Sequence, residues 1–261
     1  MNLLRRTQTP YQFTPPKYSA WFQPLLHLLA RFSLRYQDKV REVKIVGLEP
    51  LRQLVEDGQT VMVTPNHADH ADPGLMITVG MRNRFAFHFM AAREGFERSK
   101  IARFILQRGG AFSVNREGGD IASIKTAIKI LDDARFPLVI FPEGEIYHHK
   151  EKLDELNDGV ASIMLRASSK LGEGRRSFVV PASIRLFHDE STSDSFSERL
   201  SALEERITWK PRIHKDPIDR ILRLGSALLS IKEEEFLGAA KHGELADRIQ
   251  NMRTTLVGQV E

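Results

Sequence analysis

Between Thr60 and Ile184, short apolar runs rich in Val, Ile and Phe alternate with longer stretches whose apolar residues recur every three or four positions. Parallel strands need crossover connections and cover on both sides, so this alternation predicts an α/β fold: a mainly parallel or mixed sheet with helices on both faces. Strands are predicted at Val43–Gly47, Thr60–Thr64, Phe85–Ala91, Ala111–Val114, Phe136–Phe141 and Phe178–Ile184. Helices are predicted at Pro50–Glu56, Ile101–Gln107 and Asp120–Ala134, and again from Gly159, where Val160, Ile163, Met164, Ala167 and Leu171 form one stripe. Another helix follows Asp72-Pro73, a pair that is itself a helix-start signal, with Asp at the N-cap and Pro at the first helical position. In such sheets ligands sit beyond the carboxyl ends of the strands, so the residues that follow each apolar run matter most.

Two flanks differ from this central part, which covers residues 41–192. Residues 1–40 begin with a proline-rich stretch, expected to be an extended or loosely ordered lead-in, and continue into an N-terminal amphipathic helix over Trp21–Tyr36. Its stripe of Trp21, Leu25, Leu28, Leu29, Phe32 and Tyr36, interleaved with Arg31 and Arg35, suits either packing on the core or dipping into a bilayer surface. Residues 193–261 are charged and strand-poor and form a C-terminal helical extension, with helical patterns through Leu200–Ile207, Ile218–Ile231 and Glu234–Leu256. No internal repeat or low-complexity tract is evident.

Several classes are excluded or narrowed by composition. Cysteine is absent, which rules out disulfides, thiolate metal sites and a cysteine nucleophile, and fits a reducing cytoplasm. The net charge of +4 and a pI near 9.3 favour contact with phosphates, acidic proteins or anionic headgroups. No apolar run approaches the roughly 18 residues of a spanning helix, and Met1–Gln12 lacks the pattern of a signal peptide. A soluble or peripheral protein is expected.

Four clusters follow strand-like runs. Asn66-His67 with Asp72 places an imidazole and a carboxylate five positions apart, the elements of a base and its orienting partner. Phe112–Arg116 ends on an arginine, whose planar fork suits phosphate. Phe141-Pro142-Glu143-Gly144-Glu145 leaves a buried run through a proline and a glycine, and Val180-Pro181 lies in the last strand. In order and content these resemble the glycerolipid acyltransferase superfamily: Asn-His-x4-Asp, an arginine after a short apolar strand, Phe-Pro-Glu-Gly and a Val-Pro pair, over roughly residues 43–185.

The resemblance implies an O-acyltransferase that moves a fatty acyl group from acyl-CoA or acyl carrier protein to a hydroxyl of a lysophospholipid or related lipid acceptor. His67 would be the general base and Asp72 its orienter, by the logic of a Ser-His-Asp triad with the substrate hydroxyl replacing serine. Asn66, Arg116, Glu143, Gly144 and Glu145 would bind substrate, with Arg116 on an acceptor phosphate. No metal or cofactor is implied beyond the thioester co-substrate, and nucleic acid is not an expected partner. The expected location is the inner, cytoplasmic face of a membrane, peripherally bound.

The chain departs from the family where the common continuation Thr-Arg-Ser is here Glu145-Ile146-Tyr147. Losing an arginine and gaining a carboxylate beside a phosphate pocket disfavours lysophosphatidate-like acceptors and favours an acceptor with an amine or only a hydroxyl, such as a lyso-aminolipid. A basic run of Arg82, Arg84, Arg93, Arg98, Lys100, Arg103 and Arg108 can dock coenzyme A phosphates or an acidic carrier protein, or be a solvated face. Three other readings stand beside this one. His67, Asp69, His70 and Asp72, with His148 and His149 further on, can be a metallohydrolase site. Asp72 can be a helix cap alone, and the domain can be a catalytically silent lipid-binding module.

Overall fold

Five short apolar runs meet in one sheet because none can bury both of its faces alone. In the computed structural model, β1 (Thr60–Pro65), β2 (His88–Ala92), β3 (Ala111–Val114), β4 (Leu138–Val139) and β5 (Ser177–Ala182) lie in the order β3-β2-β4-β1-β5. Every neighbouring pair is parallel. The structure describes residues 11–116, 118–146, 155–172, 174–187, 193–208 and 210–258, without the side chains of 193–195. Two compact units, Met1–Leu186 and Phe187–Glu261, divide the chain.

Within the first unit both faces of the sheet are covered, as the sequence predicts. On one face α6 (Ile121–Asp133) and α7 (Asp158–Ser168) lay Ile128, Leu131, Ile163 and Met164 over Met62, Phe112 and Leu138. On the other, α2 (Glu49–Glu56), α3 (Asp72–Arg82) and α4 (Arg93–Glu97) bring Leu51, Met76 and Phe96 to Val61, Val63 and Phe89. Side-chain caps fix two of the helix starts: Asp120 accepts from the Ser123 N–H at α6, and Ser99 from the Ala102 N–H at α5 (Lys100–Arg108).

Two local expectations are corrected. Val43–Gly47 forms no strand: both sides of β1 are already taken by β4 and β5, and Val46 is 82% exposed. The run Phe136–Phe141 gives only the two strand residues of β4, because the chain leaves the sheet through Pro142. Of the lead-in, the described residues 11–19 are extended, as expected, and are held in place. Ser113 N–H donates to Thr14 O (3.0 Å), Thr14 N–H to Ser113 Oγ (2.8 Å), and Gln107 Nε2 to Pro15 O (2.7 Å). Residues 11–19 thus form a strap along β3, an edge strand whose outer donors and acceptors would otherwise be open. Burial pushes the Tyr11 hydroxyl up to about 12, so it remains a donor to Asp120 Oδ2 at 2.7 Å through the physiological range.

The N-terminal helix has two apolar sides. A 3₁₀ turn (Ala20–Phe22) leads into α1 (Gln23–Phe32), which widens into a π-type turn over Ser33–Gln37. Phe22, Leu26, Ala30 and Leu34, spaced four apart, are the buried side. Leu26 and Leu34 come so close that a Cβ on Gly109 or Gly74 would lie 3.1 or 3.3 Å from them. The stripe that dominates the sequence, from Trp21 through Leu28 to Tyr36, is the side left exposed.

The second unit holds α8 (Ser193–Thr208), α9 (Pro217–Leu237) and α10 (Leu245–Val257), with α9 packed on both others. The single helical pattern over Glu234–Leu256 is therefore corrected: Gly238, in the left-handed region at φ 77°, ends α9. The expectation of no internal repeat is also corrected: Ser197, Ser201 and Glu204 recur at the same spacing as Ser226, Ser230 and Glu233, and Asp219-Arg220-Ile221 recurs as Asp247-Arg248-Ile249. Arg220 reaches Glu204 Oε2 at 2.8 Å and the hydroxyls of Ser197 and Ser201, and Arg212 N–H donates to the same carboxylate. Arg248 reaches Glu233 Oε2 at 2.7 Å and the hydroxyls of Ser226 and Ser230, and Lys241 N–H completes the set. The pairs are 16 and 15 residues apart.

All four charged side chains are covered. The hydrogen bonds from Arg220 and Arg248 hold Glu204 and Glu233 below the usual glutamate range. A depressed carboxylate stabilises the fold fully above its unfolded pKa, about 4.3, and loses that contribution as pH falls towards the folded value. Hydrogen-exchange protection in residues 196–257, measured against the intrinsic rate at each pH, should therefore fall below about pH 4.3. A Glu204→Gln, Glu233→Gln variant should show a smaller acid response, and an equal one would remove these pairs as the cause.

Candidate active site

Because all five strands run the same way, the loops after them share one rim. β4 pairs with β1, so the segment after Val139 lies beside the segment after Pro65. His67 is fixed there by contacts from both. Its backbone N–H donates to Glu143 Oε1 at 2.9 Å, and its ring stacks on Phe141 with centroids 4.1 Å apart and planes 24° apart. Its Nδ1 lies 3.0 Å from Asp72 Oδ2.

Asp72 is wholly buried. Its Oδ2 also accepts from the Ala68 and Asp69 N–H groups, each at 2.9 Å, while Oδ1 has no partner among the described residues. An oxygen that already accepts two backbone hydrogen bonds is an acceptor, so His67 Nδ1 carries the proton and Nε2 presents a lone pair. Nε2 makes no hydrogen bond to any described residue. The reading of Asp72 as an N-cap is corrected by the same contacts. Ala71 holds the cap position, Asp72 is the first residue of α3, and its carboxylate turns back to the loop instead of forward to the helix. The partial positive charge at the helix start still favours an anion there.

Most of the other residues picked from the sequence come together around this pair. The Asn66 side chain pairs at both ends with the Ile184 backbone, donating to its O (3.1 Å) and accepting from its N–H (2.6 Å), which ties the loop after β1 to the exit of β5. Glu143 is 5% exposed and braces His67. Gly144 has φ +75°, a conformation strained for any residue with a Cβ, which would also have to push aside Asn157 Nδ2 at 2.7 Å. Its carbonyl accepts from Arg116 Nη1 at 2.7 Å. Arg116 also lies 3.4 Å from Glu145 Oε1 and 3.7 Å from Glu94 Oε2. The departing residue Glu145 therefore sits on the arginine expected to hold phosphate.

Asp69 accepts from Ala71 N–H at 2.9 Å and shapes the loop. His70 is exposed. Among the described residues no three His, Asp or Glu side chains group as a metal site; Tyr147, His148 and His149 lie outside them. Within the basic run, Arg93 is buried near Glu97 and Arg108 donates to Ser19 Oγ, so these two turn away from the rest. Two participants were missed. Glu94 could have been found from its position just after the β2 run, whereas nothing in the sequence says that Phe141 stacks on His67.

The model of the acyltransferase family matches residues 42–185, which takes in β1, β5 and all four loops. The chain belongs to the acyltransferase family. No curated protein matches it. In this acyltransferase the matched span supplies the sheet, the His67–Asp72 pair and Arg116. The N-terminal helix and the whole second unit lie outside it. No helix of the acyltransferase, among the described residues, is long and apolar enough to cross a membrane.

Proposed function

We propose that the protein transfers a fatty acyl group from acyl-CoA or acyl carrier protein to a hydroxyl of a lipid acceptor, working peripherally at the cytoplasmic face of a membrane. The observation that carries this reading is the 3.0 Å contact between His67 Nδ1 and a buried carboxylate, with Nε2 left to accept a proton. An alcohol is a poor nucleophile near neutral pH, so a base must take its proton during attack. The acceptor hydroxyl loses its proton to His67 Nε2 as its oxygen bonds to the thioester carbonyl carbon. The tetrahedral intermediate then breaks its C–S bond, and the imidazolium returns the proton to the departing thiolate. The products are an ester and a free thiol. Asp72 stabilises the imidazolium, while Glu143, Phe141 and Asn66 keep the loop in place.

Arg116 indicates which acceptor. Two carboxylates and a carbonyl already engage it, so a phosphate ester beside the reacting hydroxyl would have to displace Glu145. An acceptor that carries an amine, such as a lyso-aminolipid, meets Glu145 instead, whose side chain is 66% exposed. With one acyl thioester supplied, the purified protein should acylate a lyso-aminolipid at least about tenfold faster than lysophosphatidate, equivalent to about 1.4 kcal/mol. A Glu145→Thr, Ile146→Arg variant should narrow that preference by a similar factor. Acylation of lysophosphatidate with no activity on the aminolipid would overturn this choice of acceptor.

A further inference from the structure

The outward side of α1 borders a groove of about 780 Å³, closed on its other sides by residues 40–43 and the second half of α3. Leu28, Phe32 and Tyr36 line it and are 56–63% exposed, an apolar wall that no other described residue covers. Arg31, Arg35, Arg41 and Arg82 line it as well, against one acidic residue, Glu42. Arg82 Nη1 holds the Val43 carbonyl at 2.6 Å and fixes the far wall. Arg31 and Arg35 form no ion pair among the described residues. The groove is separate from the rim loops but shares α3 with them: Thr78 and Met81 line it, and Asp72 begins the same helix.

We infer that this groove holds the headgroup of an anionic phospholipid and so docks the protein on a negatively charged bilayer. Cationic forks suit the phosphate, and the adjoining aromatic and leucine side chains suit the upper acyl region. An acidic protein would match the arginines but leave Leu28, Phe32 and Tyr36 facing polar surface. The apolar stripe and the groove are one continuous face, since these three residues belong to both. The inference rests on the membrane-surface part of the proposed function and is independent of the chemistry at His67.

Flotation of the full chain with vesicles tests it, using phosphatidylcholine alone or mixed with phosphatidylglycerol. Binding is expected on the mixed vesicles and should weaken with added salt. At about 1 kcal/mol per arginine near an anionic surface, Arg31→Gln with Arg35→Gln should lower that partition about 30-fold. Circular dichroism should be unchanged, because both side chains are exposed. His67→Ala should float like the parent, so loss of acyl transfer and loss of docking are told apart. Equal partition onto the two kinds of vesicle would overturn the inference. So would release of the protein by inorganic phosphate at matched ionic strength, which would mark a free-anion site. Binding of acyl carrier protein that is lost in the double variant while vesicle binding persists would overturn it too.

Discussion

Replacement of His67 by alanine is expected to lower acyl transfer on the order of a thousandfold, within the about 10²–10⁴-fold range of a positioned general base. The side chain is 15% exposed, stacks on Phe141 and meets the buried Asp72, so the far-ultraviolet spectrum should match the parent while stability falls by about 1–3 kcal/mol. Single-turnover rates with a saturating thioester would isolate the chemical step. Transfer at the parental rate would sink the mechanism and favour the silent lipid-binding alternative.

Asp72 is expected to separate into two effects. Asp72→Ala removes the orienting contact and leaves the Ala68 and Asp69 N–H groups unpaired, so transfer should fall by about the same thousandfold as at His67 and stability by about 1–3 kcal/mol. Asp72→Asn should cost far less. All three donors converge on Oδ2 and Oδ1 has no partner among the described residues, so an amide can place its oxygen on the Oδ2 side and its NH2 on the other. The histidine tautomer is then kept and only the negative charge is lost. A charge-assisted hydrogen bond contributes about 1.5–3 kcal/mol, so the expected loss is about 10- to 100-fold. If the asparagine variant were as inactive as the alanine one, the negative charge of Asp72, and not its hold on the tautomer, would carry its whole contribution.

The parts of this protein most legible in the sequence are those built on apolar runs. Buried strands and the α6 and α7 stripes follow from burial on both faces of a sheet, and the order of strands and loops brings Asn66, His67, Arg116 and Glu143 to one rim. What could not be read is how polar side chains are used. Glu143 and Asn66, expected to meet substrate, spend their hydrogen bonds on backbone groups of neighbouring loops. The Glu-Arg repeat is written as Ser-x3-Ser-x2-Glu at Ser197–Glu204 and again at Ser226–Glu233, a polar spacing that hydrophobic periodicity does not register. In α1 the larger stripe suits the core or a bilayer surface alike, and the side with Ala30 is buried because Gly74 and Gly109 let it approach closely.

Helix α9 contributes Arg220 from its first turn to one seam and Ser226, Ser230 and Glu233 from its later turns to the next. It is at once the end of one copy and the beginning of another. A further helix that opened with arginine and closed with the same two serines and glutamate would add a seam of the same kind without altering those already made. The second unit is therefore modular: its length can change by whole helices, each addition supplying its own polar lock instead of a larger apolar core.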